Sequence, residues 1–259
     1  MLLFRRVSKG GKQLDTLDRS IVIHEVDPGH AQEDVTAVDK MGGFGQTITA
    51  THWRPLEASV TYAIDIYKTK MKKRREVFDL VNAWAANPGY IKMPETMGDR
   101  RLYADKIVLP NSGDLWNWLA DYTIVFRALS VPFWEDSTET TQTVKKIKAD
   151  YTTLDVPGTA PTVLNLNFEN ISGKTITYVN IRVNNDPWMT FTGLNLAADE
   201  TLQISHDEKG VISFKAGRRN VIKIREGADD LYLNPGSNKI TIDAQRNGKL
   251  TLSTRGRWM

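Results

Sequence analysis

Cysteine is absent from this 259-residue chain. That absence removes disulfide scaffolds, thiol nucleophiles, iron–sulfur clusters and every thiolate zinc site. Long apolar runs are missing too, and nothing approaches the ~18 uninterrupted apolar residues of a membrane span. The N-terminal apolar run stops at Arg5, short of the ~7–15 apolar residues of a secretory leader, so a soluble protein made in a cytoplasm is expected. Excess charge of one sign is small: 34 Lys and Arg against 31 Asp and Glu leave +3. That is too weak for a nucleic-acid coat, an acidic binder or a polybasic membrane surface, and no sequence-specific nucleic-acid binding is expected. The remaining composition, 41% hydrophobic and 25% charged, is that of an ordinary globular protein of one large or two small domains.

Catalytic patterns are equally scarce. The four histidines, His24, His30, His52 and His206, form no H-E-x-x-H helix pair. His24 and His30 flank Asp27-Pro28-Gly29 with Glu25, Glu33 and Asp34 nearby, but the spacing matches no known ligand set and reads as a polar loop. Gly173-Lys174-Thr175 ends like a phosphate loop, yet Phe168 stands where the pattern requires glycine, and a strand follows instead of a helix. Gly42-Gly43-Phe44-Gly45 lacks dinucleotide-binding spacing and reads as a turn. No G-x-S-x-G elbow occurs. The carboxylate pairs Asp199-Glu200, Asp207-Glu208 and Asp229-Asp230 fall in predicted turns, where acidic residues serve local hydrogen bonding. No catalytic, metal or cofactor-binding residue is assigned.

Hydrophobic patterning is more informative. Met71, Val77, Phe78, Leu80, Val81, Trp84 and Ala85 recur at three- and four-residue steps, predicting a helix over 69–86 that Asn87-Pro88-Gly89 stops. Ser59 to Tyr67 alternates and is rich in β-branched and aromatic residues, as a strand should be. Residues 103–109 and 121–131 read as two more strands. Residues 135–143 are polar and read as a linker or an exposed strand, placing a domain boundary between about 137 and 160. Beyond it, strands are expected over 162–169, 175–184, 188–192, 201–206, 211–215, 221–225, 239–244 and 249–254. Asn247-Gly248 between the last two reads as a type I′ hairpin turn. Many short strands without a helix predict an antiparallel sandwich.

The small net charge conceals a separation. Residues 1–140 carry 18 basic and 19 acidic residues, and residues 141–259 carry 16 and 12. Six of the basic residues, Lys68, Lys70, Lys72, Lys73, Arg74 and Arg75, crowd into eight positions at the helix start. This run suits a phosphate backbone, a solvated helix face or an acidic partner surface. Trp116, Trp118, Phe133, Trp134 and Trp188 are aromatics that either anchor cores and interfaces or, if exposed on a sandwich, stack on sugar rings.

The order of these features resembles the distal tail protein (Dit) family of long-tailed siphophages, also called phage tail family proteins. The likeness rests on Gly42-Gly43-Phe44-Gly45, then Trp53-Arg54-Pro55 and the strand to Tyr67. The helix with Arg75, Phe78, Leu80 and Ala83-Trp84-Ala85 follows, then Tyr103 to Ile107, Tyr122 to Ala128 and Val131 to Glu135. Gly158-Thr159-Ala160-Pro161, Leu233 to Asn238 and Arg255-Gly256-Arg257-Trp258 complete the series. It implies a mainly β fold with one helix: an α+β sheet-plus-helix domain over 1–140, then a galectin-like antiparallel β-sandwich over 141–259. It further implies a non-enzymatic virion component at the tail tip. The first domain would form a homo-hexameric ring joined to the tail tube protein and to a tail-associated hub or lysin protein. The sandwich would offer a docking platform to tail-fibre or receptor-binding proteins. A closing head-to-tail ring needs two complementary faces, and the basic run 68–75 against an otherwise acidic domain could supply them. The competing reading is a lectin-like module that recognises cell-wall polysaccharide, with Trp188 as the sugar or partner contact.

Overall fold

The computed structural model describes residues 6–39, 46–65, 67–68, 71–111 and 121–259, with only the backbone of 38, 39, 46–51, 71 and 72. The chain divides into two compact units, Met1–Glu135 with Met259, and Asp136–Trp258.

The first unit contains β1 (Ser8–Lys9), β2 (Lys12–Gln13), β3 (Ile21–Asp27), β4 (Glu33–Asp39), β5 (Gln46–Trp53), β6 (Leu56–Ile64) and α1 (Met71–Ala85). After these come β7 (Gly89–Lys92), α2 (Pro94–Met97), β8 (Arg100–Ala104), β9 (Lys106–Val108) and β10 (Tyr122–Ala128), while β11 (Trp134–Asp136) straddles the unit boundary. β3, β6, β10 and β9 form one antiparallel sheet in that order. Alternation explains its inner face. Leu56, Ala58, Val60 and Tyr62 of β6 lie directly opposite Ala128, Phe126, Ile124 and Tyr122 of β10, and all eight are buried. Strict period-two patterning on both strands therefore points one apolar face the same way. Helix α1 covers that face: Phe78 packs edge-on against Tyr122 at 5.2 Å, and Trp84 against Phe126 at 6.3 Å. Val77, Phe78, Val81 and Ala85 are buried, but Leu80 is exposed. Two residues along a helix turn the side chain by about 200°, so Leu80 cannot share the face of Phe78 that the sequence pattern had assigned to both.

The end of α1 is tied by a lysine. Lys9 on β1 is buried, and its Nζ donates to the carbonyl oxygens of Trp84 at 3.3 Å, Ala85 at 2.6 Å and Asn87. A cation on the terminal carbonyls satisfies acceptors that the helix leaves open and meets the negative end of its dipole. Burial pushes the Lys9 ammonium below the usual lysine value. Lys9→Met, which keeps the stem and removes the charge, is expected to destabilise the unit by about 1–3 kcal/mol in urea unfolding.

Residues 103–109 are not one strand. The chain breaks at Asp105, whose carboxylate accepts from Leu129 N at 2.7 Å and from Ser130 N and Oγ at 2.9 and 2.7 Å. The turn after β10 is thereby clamped.

The second unit contains β12 (Thr140–Val156), β13 (Thr162–Val163), β14 (Asn165–Asn170), β15 (Ile176–Val183), β16 (Trp188–Leu196) and β17 (Thr201–His206). It continues with β18 (Ile212–Ala216), β19 (Arg219–Asn220), β20 (Arg225–Gly227), β21 (Tyr232–Leu233), β22 (Gly236–Thr254) and β23 (Arg257–Trp258). The end of the polar stretch, from Thr140, and the residues after it form the single 17-residue strand β12, whereas Glu135 and Asp136 belong to β11. The main sheet runs β19-β18-β17-β14-β22-β15-β16-β20, with β12 also on β22. Its curl comes from β22. Residues 240–244 pair with β15, and residues 248–253 pair with β14. One strand therefore serves both layers of the galectin-like antiparallel sandwich, and the core between them includes Phe168, Phe191, Phe214, Leu250 and Ile242.

Asn247-Gly248 is consequently no hairpin turn; it lies inside the 19-residue β22. Gly248 faces the ring of Phe168, where a Cβ would overlap Cζ and Cε2. The glycine serves close approach of an aromatic ring instead of chain reversal. Residues 221–225 also differ from the pattern. Asn220 Oδ1 accepts from Ile222 N at 2.9 Å, a 3-10 turn spans Ile222–Ile224, and only then does β20 begin.

Candidate functional site

The basic run at the helix start does not form one surface. Lys68 is exposed and pairs with Asp65 at 3.4 Å. Lys70 lies outside the described residues, and the side chain of Lys72 is not described. Lys73 is exposed, whereas Arg74 turns inward and is buried. Arg75 is exposed and pairs with Asp79 at 3.7 Å, one turn further along. Consecutive residues on a helix point about 100° apart, so a run of four cations cannot stay on one side. Lys73 and Arg75 are the members with described, solvent-facing side chains on α1.

Trp188 opens β16 and is 39% exposed. Its position is built from both sides. Its carbonyl accepts from Ala228 N at 2.8 Å, and its ring lies against Gly227 on the edge strand β20, where a Cβ would stand 2.8 Å from ring carbons. The glycine makes room for the indole at the sheet edge, where Trp188 stays partly open to solvent. Trp134 is fully buried and donates through Nε1 to Pro28 O at 3.0 Å, while Phe133 packs edge-on against Trp53 at 4.9 Å. These are core positions. Trp116 and Trp118 lie outside the described residues.

The polar pairs resolve into structural roles. His24 Nδ1 sits 2.8 Å from Asp121 Oδ1, not beside His30. Among the described residues no three His, Asp or Glu side chains gather as a metal site would require. Asp207 accepts from the backbone N–H groups of Lys209 and Val211, both at 2.9 Å. Glu200 accepts from Ala197 N at 2.9 Å and pairs with Arg219 at 3.2 Å, and Asp229 pairs with Arg225 at 2.7 Å. Each of these three carboxylates closes a turn or an edge.

Sequence reasoning missed one buried polar cluster. His206 Nε2 lies 2.9 and 3.0 Å from the carboxylate oxygens of Asp230, and Nδ1 lies 3.0 Å from Asn165 Oδ1. Asn165 Oδ1 also accepts the backbone N–H of His206 at 2.9 Å, so both ring nitrogens meet acceptor oxygens. The neighbouring Ser205 hydroxyl is engaged with Ser213 at 3.0 Å. The cluster holds β14, β17 and the segment before β21 together. Its members stand 41 and 24 residues apart, a separation that local spacing cannot reveal.

Among the described residues no helix is long and apolar enough to cross a membrane. No protein-family model matches the chain, and no curated protein matches it. Among solved structures it is similar to the Dit protein of phage SPP1, described as a paradigm of the hub adsorption apparatus in phages infecting Gram-positive bacteria. Identity there is 14%, the TM-score is 0.64, and 96% of this chain and 97% of that chain are covered. It also aligns with a chain of the phage P2 baseplate in its activated conformation with calcium, at 9% identity, 98% coverage of both chains and a TM-score of 0.46. The likeness to SPP1 Dit establishes a shared fold that extends over nearly the full length of both chains.

Proposed function

We propose that this chain is a distal tail protein: a structural component of a phage tail tip, without catalysis of its own. The observation that carries the reading is the end-to-end fold likeness to a phage hub protein, 96% of this chain against 97% of that one. Both units and their order are included, which a chance likeness of one sandwich would not require. On this reading residues 1–140 assemble into a hexameric ring at the end of the tail tube, and residues 141–259 offer the platform on which tail-fibre or receptor-binding proteins dock. The tail tube protein and a tail-associated hub protein are the axial neighbours.

Lys73 and Arg75 of α1, about 200° apart around the helix axis, would each bring a cation to a contact between subunits, on different sides of α1. Negative-stain microscopy and light scattering of the purified chain, alone and with its tail tube protein, test the reading: six-fold rings are expected. The variant Lys73→Glu/Arg75→Glu should form fewer rings, with the wild-type ring weakened by salt. A chain that remains monomeric under both conditions refutes the ring.

A second reading is kept because Trp188 is partly exposed at a sandwich edge. If the sandwich recognises wall polysaccharide, calorimetric titration of the full chain should give saturable binding that Trp188→Ala abolishes; stacking on sugar C–H faces is the expected source.

A further inference from the structure

The ladder between β12 and β22 breaks midway, and basic residues gather at the break. Thr140 to Val144 pair in register with Thr254 to Leu250, but the register then shifts twice, at Ile147 and again before Ala149. On the β22 side, Gln245, Arg246 and Asn247 belong to no paired register with β12, β14 or β15. Lys146 and Lys148 from one strand and Arg246 from the other line a cleft there, together with Ile171, Gln245 and Asn247. Among the described residues, none of these three cations has a carboxylate within ion-pair distance, and the Nε of Arg246 is buried without a hydrogen-bond partner. Four other cations of the same unit are paired, Arg219 with Glu200, Arg225 with Asp229, Lys249 with Glu169 and Arg255 with Glu139, while exposed cations such as Lys174 and Lys215 have no such pair among the described residues either; what distinguishes the cleft is that three cations line it together.

We propose that this cleft is a docking site for an acidic peptide segment of a protein seated on the sandwich, an inference that rests on the platform reading above. Three positive groups without internal counter-charges attract carboxylates, and converging cations raise the local potential above that of any one alone. Gln245 Oε1 already accepts from Thr177 N and Oγ1, both at 3.1 Å, so the amide of Asn247 and the Nε2 of Gln245 are the groups that match a peptide. Ile171, 41% exposed at the rim, offers apolar contact that a bare phosphate would leave unused. A phosphate site is usually built from backbone N–H groups at a helix N-terminus or a glycine-rich nest, and the three cations of this cleft sit on the strands β12 and β22.

The test is calorimetric titration of the full chain with a hexaglutamate peptide at low and high salt, with inorganic phosphate as a separate arm. Saturable peptide binding is expected, weakening with salt. It should fall about tenfold in Lys146→Glu/Lys148→Glu, where two attractions become repulsions. Both lysines are exposed, so circular dichroism should leave the fold of this variant unchanged. Arg246→Gln should weaken peptide binding without reversing a charge. Unchanged peptide affinity in the double variant overturns the proposal, as does phosphate that binds as tightly and displaces the peptide. The ring measurement is made without peptide. A chain that forms rings but ignores hexaglutamate refutes this site alone, and one that stays monomeric but loses peptide affinity on charge reversal refutes the ring and keeps the site.

Discussion

Phe168→Ala is expected to destabilise the second unit by about 3–5 kcal/mol, measured by urea unfolding followed by tryptophan fluorescence. Phe168 is fully buried in the core where β14 meets β22. Truncation removes its apolar contacts and leaves a cavity that two flanking strands cannot easily close. Gly248→Ala is expected to cost about 1–3 kcal/mol from the opposite direction, because its new methyl group meets the same ring. The two changes should not add. In the Phe168→Ala background the alanine at 248 no longer meets the ring and keeps only its close approach to the Glu169 carbonyl oxygen at 2.9 Å, so the double variant should be more stable than the sum of the single losses by at least about 1 kcal/mol. Simple additivity would show that Gly248 serves something other than the approach of Phe168.

Asn170→Ala should have an effect of similar size for a polar reason. Asn170 is fully buried; its Nδ2 donates to the carbonyl oxygens of Lys174, Leu196 and Ala197 at 2.8, 3.0 and 2.9 Å. Its Oδ1 accepts from the N–H and hydroxyl of Ser172 at 3.0 and 2.7 Å. One amide thus ties the β14–β15 turn to the end of β16. Alanine leaves these backbone groups without their partner, at about 1–3 kcal/mol for each that water cannot reach, so about 3 kcal/mol or more is expected. Asn170→Asp retains the acceptor and loses the donors; it should destabilise at neutral pH nearly as much as alanine. If Asn170→Ala melts within a degree of the wild type, the clamp has no energetic role.

Much of the fold was legible wherever one face of an element meets one environment. The alternation of β6 and the three-to-four spacing of α1 follow directly from one-sided burial. β17 was read with its observed limits, 201–206, because it too has one buried face. Legibility failed where a residue type has two physical uses. Glycine after asparagine is both the residue of a tight hairpin and the residue that admits a ring, and only the distant Phe168 decides between them. Spacing of three and four residues also draws Leu80 into the buried stripe, although its angle from Phe78 on the helix excludes it. At the surface, the run 68–75 was visible as charge, but the inward turn of Arg74 was not, since helical rotation distributes neighbours around the axis. The His206–Asp230–Asn165 cluster and the cleft of Lys146, Lys148 and Arg246 were invisible for one reason: strand pairing assembles them across long stretches of chain.

The pairing of β12 with β22 also sets the order of events during synthesis. Thr140 meets Thr254 at one end of that ladder, so the strand that enters the sandwich waits for a partner more than 100 residues behind it. Until β22 emerges from the ribosome, β14 and β15 have no strand between them and the two layers remain unjoined. Ring closure of so long a loop is entropically unfavourable and makes folding slow. The sandwich is therefore completed only when its last long strand arrives, and a nascent chain stalled before residue 236 carries β12 as an unpaired edge.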